Sequence, residues 1–95
     1  MSAWLYILAT RKGGPLYVGV TTNLARRLQQ HRDKATPSFS ARYNVDQLVY
    51  VEEFTDLQDA QDNERRIKRW RRDWKNNLIE TINPDWRDLS EDYLP

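Results

Sequence analysis

The chain contains no cysteine, one histidine and only three glycines among 95 residues. Without cysteine there is no disulfide scaffold, no thiolate zinc site and no cysteine nucleophile. That absence suits a reducing compartment, and the expected location is the cytoplasm. A single histidine excludes any site that needs two. The longest apolar run, Ala3–Ala9, is too short to cross a bilayer. It also lacks the positive flank and cleavage region of a signal peptide, so no membrane partner is expected. No charge sign dominates either, the formal net charge being +1. What is present is enough apolar and aromatic material for one small core, and a single domain over residues 1–95 is expected.

The near-neutral total conceals blocks. Met1–Arg42 carries seven basic residues and one acid, and Tyr43–Glu64 carries seven acids and no base. Arg65–Leu78 again has seven bases against one acid, while Ile79–Pro95 has five acids and one base. A fold that brings the two basic blocks to one side would create a positive face, the footprint of a polyanion binder. The plainer alternative is that each block is a solvated helix face.

Strand and helix signals alternate. Trp4–Ala9 reads as a buried strand, Arg11–Pro15 as a glycine-containing turn and Leu16–Val20 as a second strand, together an antiparallel hairpin. Thr21 or Thr22 can cap a helix from Asn23 to about Arg32, with Leu24 and Leu28 on its buried stripe. The polar stretch 34–44 is irregular, with Thr36-Pro37 suited to a short helical turn. Leu48–Phe54 is a third strand. Thr55 and Gln58 match a capping box. From there Leu57, Ala60, Glu64, Ile67, Arg71, Trp74 and Leu78 recur at helical spacing, on one helix or on two separated near Asp73. Asn83-Pro84 ends the run. The acidic tail is expected to pack through Trp86, Leu89 and Tyr93. The fold class is α+β, a three-stranded antiparallel sheet flanked by helices.

Several residues fit this frame poorly. Glu64 interrupts an apolar stripe, so its carboxylate must be paired, metal-bound or at the rim of the core, and Lys68 one turn later is the ready partner. Arg27 and His31 project from one flank of their helix at i, i+4 and could grip a phosphate together. Tyr6 and Tyr17 lie on adjacent strands and share a face only in the right register. Gly19 within a strand marks a bulge or a close approach. Trp70 and Trp74 interleave with Arg65, Arg66, Lys68, Arg69, Arg71, Arg72 and Lys75, a mixture suited to nucleic acid, although their i, i+4 spacing also suits packing.

In order and spacing, Trp4-Leu5-Tyr6, Tyr17-Val18-Gly19, Asn23-Leu24, Arg27, His31 and the later Glu64 resemble the GIY-YIG nuclease superfamily. The stretches Arg42-Tyr43-Asn44, Leu48-Val49-Tyr50 and Asn83–Leu89 are similar to its small stand-alone bacterial branch. The resemblance implies a DNA phosphodiester hydrolase using one divalent ion, Mg²⁺ or Mn²⁺, and no small-molecule cofactor. It implies that Tyr6 and Tyr17 border the attacking water and scissile phosphate, and that Arg27 stabilises phosphate charge. His31 would lie near the water, Glu64 would be the one protein carboxylate on the metal, and Asn83 would be a late site asparagine. Such roles are chemically coherent. Mg²⁺ accepts few protein ligands beside water and phosphate oxygens. Either Tyr17 or His31 could take the water's proton. The sequence departs from the family pattern at Trp4, where the motif has glycine, and at Val20, where the excision-repair branch has lysine.

Arg26, Arg42, Lys68, Arg69, Arg72 and Lys75 are the candidate nucleic-acid contacts, and Trp70, Tyr43 and Phe39 could stack on unpaired bases. The expected activity is therefore a structure- or single-strand-selective endonuclease of low sequence specificity. The alternatives are a binding module of the same fold with weak or lost catalysis, and a protein-interaction domain using the Trp-rich basic helix.

Overall fold

A computed structural model describes residues 2–33 and 47–93. Expectations that fall on 34–46, among them the turn at Thr36-Pro37 and the contacts of Phe39, Arg42 and Tyr43, lie outside the described residues. The elements are β1 (Ala3–Ala9), β2 (Leu16–Thr21), α1 (Leu24–Asp33), β3 (Gln47–Phe54), α2 (Leu57–Lys68) and α3 (Arg72–Ile82), with a short 3₁₀ turn at Ser90–Asp92. The strands form one antiparallel sheet in the order β2-β1-β3. Among the described residues no helix is long and apolar enough to cross a membrane.

Alternation along β1 divides the core. Leu5, Ile7 and Ala9 face a layer made by α2 and α3, where they join Val18, Ile67, Ile79 and Trp86. Tyr6 and Leu8 face the other way, toward Leu24 and Leu28 of α1 and Leu89 of the tail. A bulge in the β1–β3 ladder skips Val49, since Ile7 opposes Tyr50 and Leu8 opposes Leu48. That extra residue lets Val49 and Tyr50 both enter the α2–α3 cluster although they are consecutive.

Two local expectations need correction, and one open alternative is decided. The cap of α1 is neither threonine: Asn23 Oδ1 accepts from the Arg26 amide, while Thr21 Oγ1 accepts from the Asn23 amide and braces the turn. The cap of α2 is Asp56, whose carboxylate accepts from the Gln58 amide, one residue beyond Thr55. The long apolar stripe belongs to two helices broken over residues 69–71, where the Arg69 and Trp70 amides tighten into three-residue turns onto Arg66 and Ile67. Of the stripe, Leu57 and Trp74 end up exposed. The tail packs through Trp86 and Leu89 as expected, but Tyr93 stays exposed.

Candidate active site

The β1–β2 register decides whether the two tyrosines meet. Tyr6 opposes Gly19 and Leu8 opposes Tyr17, so Tyr6 and Tyr17 are diagonal neighbours on the α1 face. Their ring centroids are 6.2 Å apart. Gly19 is a close approach and not a bulge, because a Cβ there would lie 2.6 Å from the Tyr6 hydroxyl and 3.0 Å from Tyr17 Cε1. The missing side chain is the space that the Tyr6 phenol fills.

His31, from the last turns of α1, completes the cluster. Its ring stands edge-on to Tyr6 at 5.9 Å and to Tyr17 at 5.3 Å. The Tyr6 hydroxyl and His31 Nε2 share a hydrogen bond of 3.3 Å. Tyr6 is fully buried and His31 nearly so, whereas Tyr17 is partly open to solvent. Burial raises the Tyr6 pKa well above that of a free phenol, with Tyr17 adding to the rise and Arg27 opposing it. Burial also lowers the His31 pKa, and the nearby Arg27 charge lowers it further. At neutral pH the cluster therefore holds a protonated Tyr6 and an uncharged imidazole.

Arg27 links this cluster to Glu64. It lines a cleft of about 290 Å³ with Val20, Thr21 and Thr22 of the β2 end and with Leu57, Gln61 and Glu64 of α2. On its other side it shares a depression of about 250 Å³ with Thr21–Asn23, Arg26 and Gln30. Glu64 is at the rim of the core, its Oε2 3.4 Å from Lys68 Nζ, and it also opens into the cleft. The rim pair and the cleft position are thus compatible. Among the described residues no group of three or more histidine, aspartate or glutamate side chains gathers for a metal. A lone carboxylate in an open polar cleft does not suit zinc but does suit Mg²⁺, which retains waters and takes substrate oxygens.

The structure brings Tyr6, Tyr17 and His31 into contact, and Arg27 and Glu64 into one cleft. It gives Asn83 different work. The Asn83 amide nitrogen donates to Val49 O at 3.0 Å and to Arg87 O at 2.8 Å, and its oxygen accepts from the Arg87 amide at 3.1 Å. It satisfies the carbonyl of the bulge residue and pins the end of α3 to β3 and the tail, and it lines none of the clefts above.

Among the expected nucleic-acid contacts, Arg26 is exposed beside Arg27 and Arg69 lines an outer depression with Trp70. Lys68 is paired to Glu64, and Lys75 Nζ donates to Lys68 O at 3.4 Å. The Arg72 guanidinium donates to Gly14 O and Asn76 Oδ1, which joins the second basic block to the turn bearing Arg11 and Lys12. Gln61, Thr21 and Thr22 were not foreseen as cleft residues. Gln61 precedes Glu64 by three positions, so helical spacing alone could have found it.

Comparison with known proteins identifies the family. The profile of the GIY-YIG catalytic domain matches residues 2–77. A UPF0213 protein of Desulfotalea psychrophila is 37% identical over 70 residues, covering 70% of this chain and 61% of that protein, so the match spans about three fifths of that relative. A UPF0213 protein of Oceanobacillus iheyensis is 35% identical over 81% of this chain and 88% of its own. In the solution NMR structure of a UPF0213 protein from Bacillus halodurans the fold is shared at a TM-score of 0.60 and 23% identity, over 100% of both chains. With the domain match running over most of the chain, the chain belongs to the GIY-YIG catalytic-domain family, a family of nucleases.

Proposed function

We propose that this protein is a divalent-metal-dependent endonuclease that hydrolyses DNA phosphodiester bonds with little sequence preference. The observation that carries the reading is the position of Arg27, which lines one cleft with Glu64 and acts electrostatically on Tyr6 and His31. A phosphodiester in the cleft would meet the arginine charge where negative charge grows in the transition state. Glu64 would hold one Mg²⁺ or Mn²⁺ ion, exchanging its contact with Lys68 for it. When bound, such an ion polarises the phosphoryl group and stabilises the departing oxygen.

The protein's own groups divide the remaining work. His31 is the base of the cluster that is already unprotonated at neutral pH, and it takes the proton of the attacking water. Tyr17, the more open ring, orients that water with its hydroxyl. Tyr6 keeps its proton, and its oxygen accepts from the Nε2–H of the neutral imidazole, which leaves Nδ1 as the basic nitrogen. Arg26, beside Arg27 in the adjoining depression, guides the phosphate backbone inward.

The Glu64–Lys68 ion pair favours a second reading, a nucleic-acid-binding module of the same fold without hydrolysis. A cleavage panel separates the two. Single-stranded, duplex, flap and branched DNA, and the corresponding RNA, are incubated with Mg²⁺ or Mn²⁺ and the wild type or Glu64→Ala. The nuclease reading expects metal-dependent cutting of DNA that EDTA and Glu64→Ala both abolish. Equal cutting by Glu64→Ala overturns the metal assignment, and binding without cutting by the wild type establishes the second reading.

A further inference from the structure

The outward side of α2 and the break after it form a surface that the cleft does not use. With 3.6 residues per turn, Arg65 and Arg66 project from α2 about 100–200° away from Glu64, and Arg69 follows at its C-cap. They line a depression of about 370 Å³ with Trp70, and among the described residues lining it Asp62 is the one acid. Asp62 reaches Arg65 at 3.6 Å, an exposed pair that water and salt weaken readily. Trp70 packs partly into the core, and Trp74 stands edge-on to it at 6.0 Å. Trp74 is 49% exposed, although it is a large aromatic at the start of a helix. The Arg71 guanidinium lies 5.1 Å from the Trp74 ring centroid. An exposed indole with one guanidinium over its ring, packed on the Trp70 that lines the arginine-rich depression, offers a stacking face next to phosphate partners.

Resting on the nuclease reading above, we propose that this surface is a second nucleic-acid contact that holds an unpaired strand while the bond to be cut lies in the Glu64 cleft. Charge selects a polyanion, and Trp74 selects one whose base faces are free. Shape gives the same answer. A strand touching both surfaces must turn around α2, whose diameter with side chains is about 10–12 Å. A duplex, with a persistence length of about 150 base pairs, cannot bend so tightly, whereas an unpaired strand can. The break at 69–71 holds Trp74 in place for this task, because Arg72 is tied to Gly14 O and Lys75 to Lys68 O.

The test uses the full chain in EDTA, so that nothing is cut, with a dodecamer of thymidylate and a blunt twelve-base-pair hairpin as probes. Binding is read by tryptophan fluorescence and by anisotropy across a salt series. The wild type is expected to bind the dodecamer more tightly than the hairpin, with fluorescence quenched. Trp74→Ala should weaken dodecamer binding about tenfold and remove most of the quenching, and Trp74→Phe should restore most of the affinity. Arg65→Gln with Arg66→Gln should flatten the slope of log K against log salt by about 1.4 for the dodecamer. Melting curves check that each variant is folded, and Trp74→Gln, which has no aromatic face and suits an exposed helix position, decides should Trp74→Ala not fold. Unchanged dodecamer binding in Trp74→Ala overturns the proposal, as does an equal loss for the hairpin or equal competition by polyglutamate. The two readings fail separately. If the wild type cuts no nucleic acid with metal but Trp74→Ala loses the dodecamer, the nuclease reading falls and the contact stands. Normal cutting with unchanged dodecamer binding removes the contact alone.

Discussion

The two faces of one sheet are built on opposite terms. Toward α2 and α3, β1 presents Leu5, Ile7 and Ala9 to a layer of Ile67, Ile79, Val49, Tyr50 and Trp86, and this contact surface is predominantly apolar. Toward α1, the same strand presents Tyr6, and the neighbours are Tyr17 and His31. The first face holds the chain together and asks only for volume and apolarity. The second buries a phenol and an imidazole that must satisfy each other, an arrangement in which polar atoms cost stability unless paired. Period-two alternation allows one strand to serve both ends without compromise, since a residue chosen for chemistry never competes with its neighbour chosen for packing. Glu64 belongs to neither face. From the rim of the other layer it shares a cleft with Arg27 of the α1 side.

That separation predicts that activity and stability can be broken independently. The largest effect is expected from Glu64→Ala, with cleavage falling below detection while the melting temperature scarcely moves. Its ion pair with Lys68 is an i, i+4 contact between a half-exposed lysine and a carboxylate at the rim, and helix pairs of this spacing contribute about 0.3–0.5 kcal/mol. Cleavage and thermal unfolding on one preparation check both halves, and a large melting shift would return Glu64 to a structural role. Next, Tyr17→Phe should slow single-turnover cleavage by about 10²–10⁴. Its cost in stability should not exceed the roughly 0.5–1.5 kcal/mol of one hydrogen bond. Equilibrium DNA binding should be nearly unaltered, because the hydroxyl serves the transition state. A rate within threefold of wild type would remove Tyr17 from the mechanism.

Ile79→Ala is the mirror experiment on the opposite face. Ile79 is fully buried among Leu5, Ile7 and Val49, so truncation should cost about 2–5 kcal/mol. Well below the lowered melting point, the activity per folded molecule should match the wild type. A selective loss of turnover in this variant would show that the two faces are coupled.

How much of this could be read in advance follows the same division. The hairpin, the third strand and the Arg27–His31 pairing depend on local periodicity and were legible. So was the oddness of Glu64, because an acid in an apolar stripe needs a reason. The break at residues 69–71 was open, one helix or two, since neither glycine nor proline marks it and Trp70 continues the apolar rhythm across it. The α2 cap went to Asp56 because two adjacent capping residues, Thr55 and Asp56, compete and the entry angle of the chain decides. Asn83 carried a site-like pattern, yet its amide answers a bulge 34 positions away. Arg72 likewise spends its guanidinium on Gly14, 58 positions distant. Contacts of that range leave no periodic trace in a sequence.

The smallest expected effect concerns pH. His31 is the chain's sole histidine, and in the fold its pKa is lowered from 6.5, chiefly by burial and secondly by Arg27. Among the described residues, Tyr6 and Tyr17 stand edge-on to its ring and the Arg27 charge lies near it. The folded protein then binds fewer protons than the unfolded chain in the interval below pH 6.5, so stability falls as the pH drops into it and stays level above it. The slope cannot exceed about 1.4 kcal/mol per pH unit for one proton. For a domain of this size that amounts to roughly 4–8 °C of melting temperature for each kcal/mol lost. Carboxylates ordinarily titrate below about pH 5, which leaves the interval to His31. Melting curves at pH 7.5, 6.5, 6.0 and 5.5 should show the decline in the wild type and a nearly flat line in His31→Gln. Parallel declines in both would mean that the imidazole is not held neutral by the cluster, and the proton acceptor assigned to it would have to be sought in Tyr17.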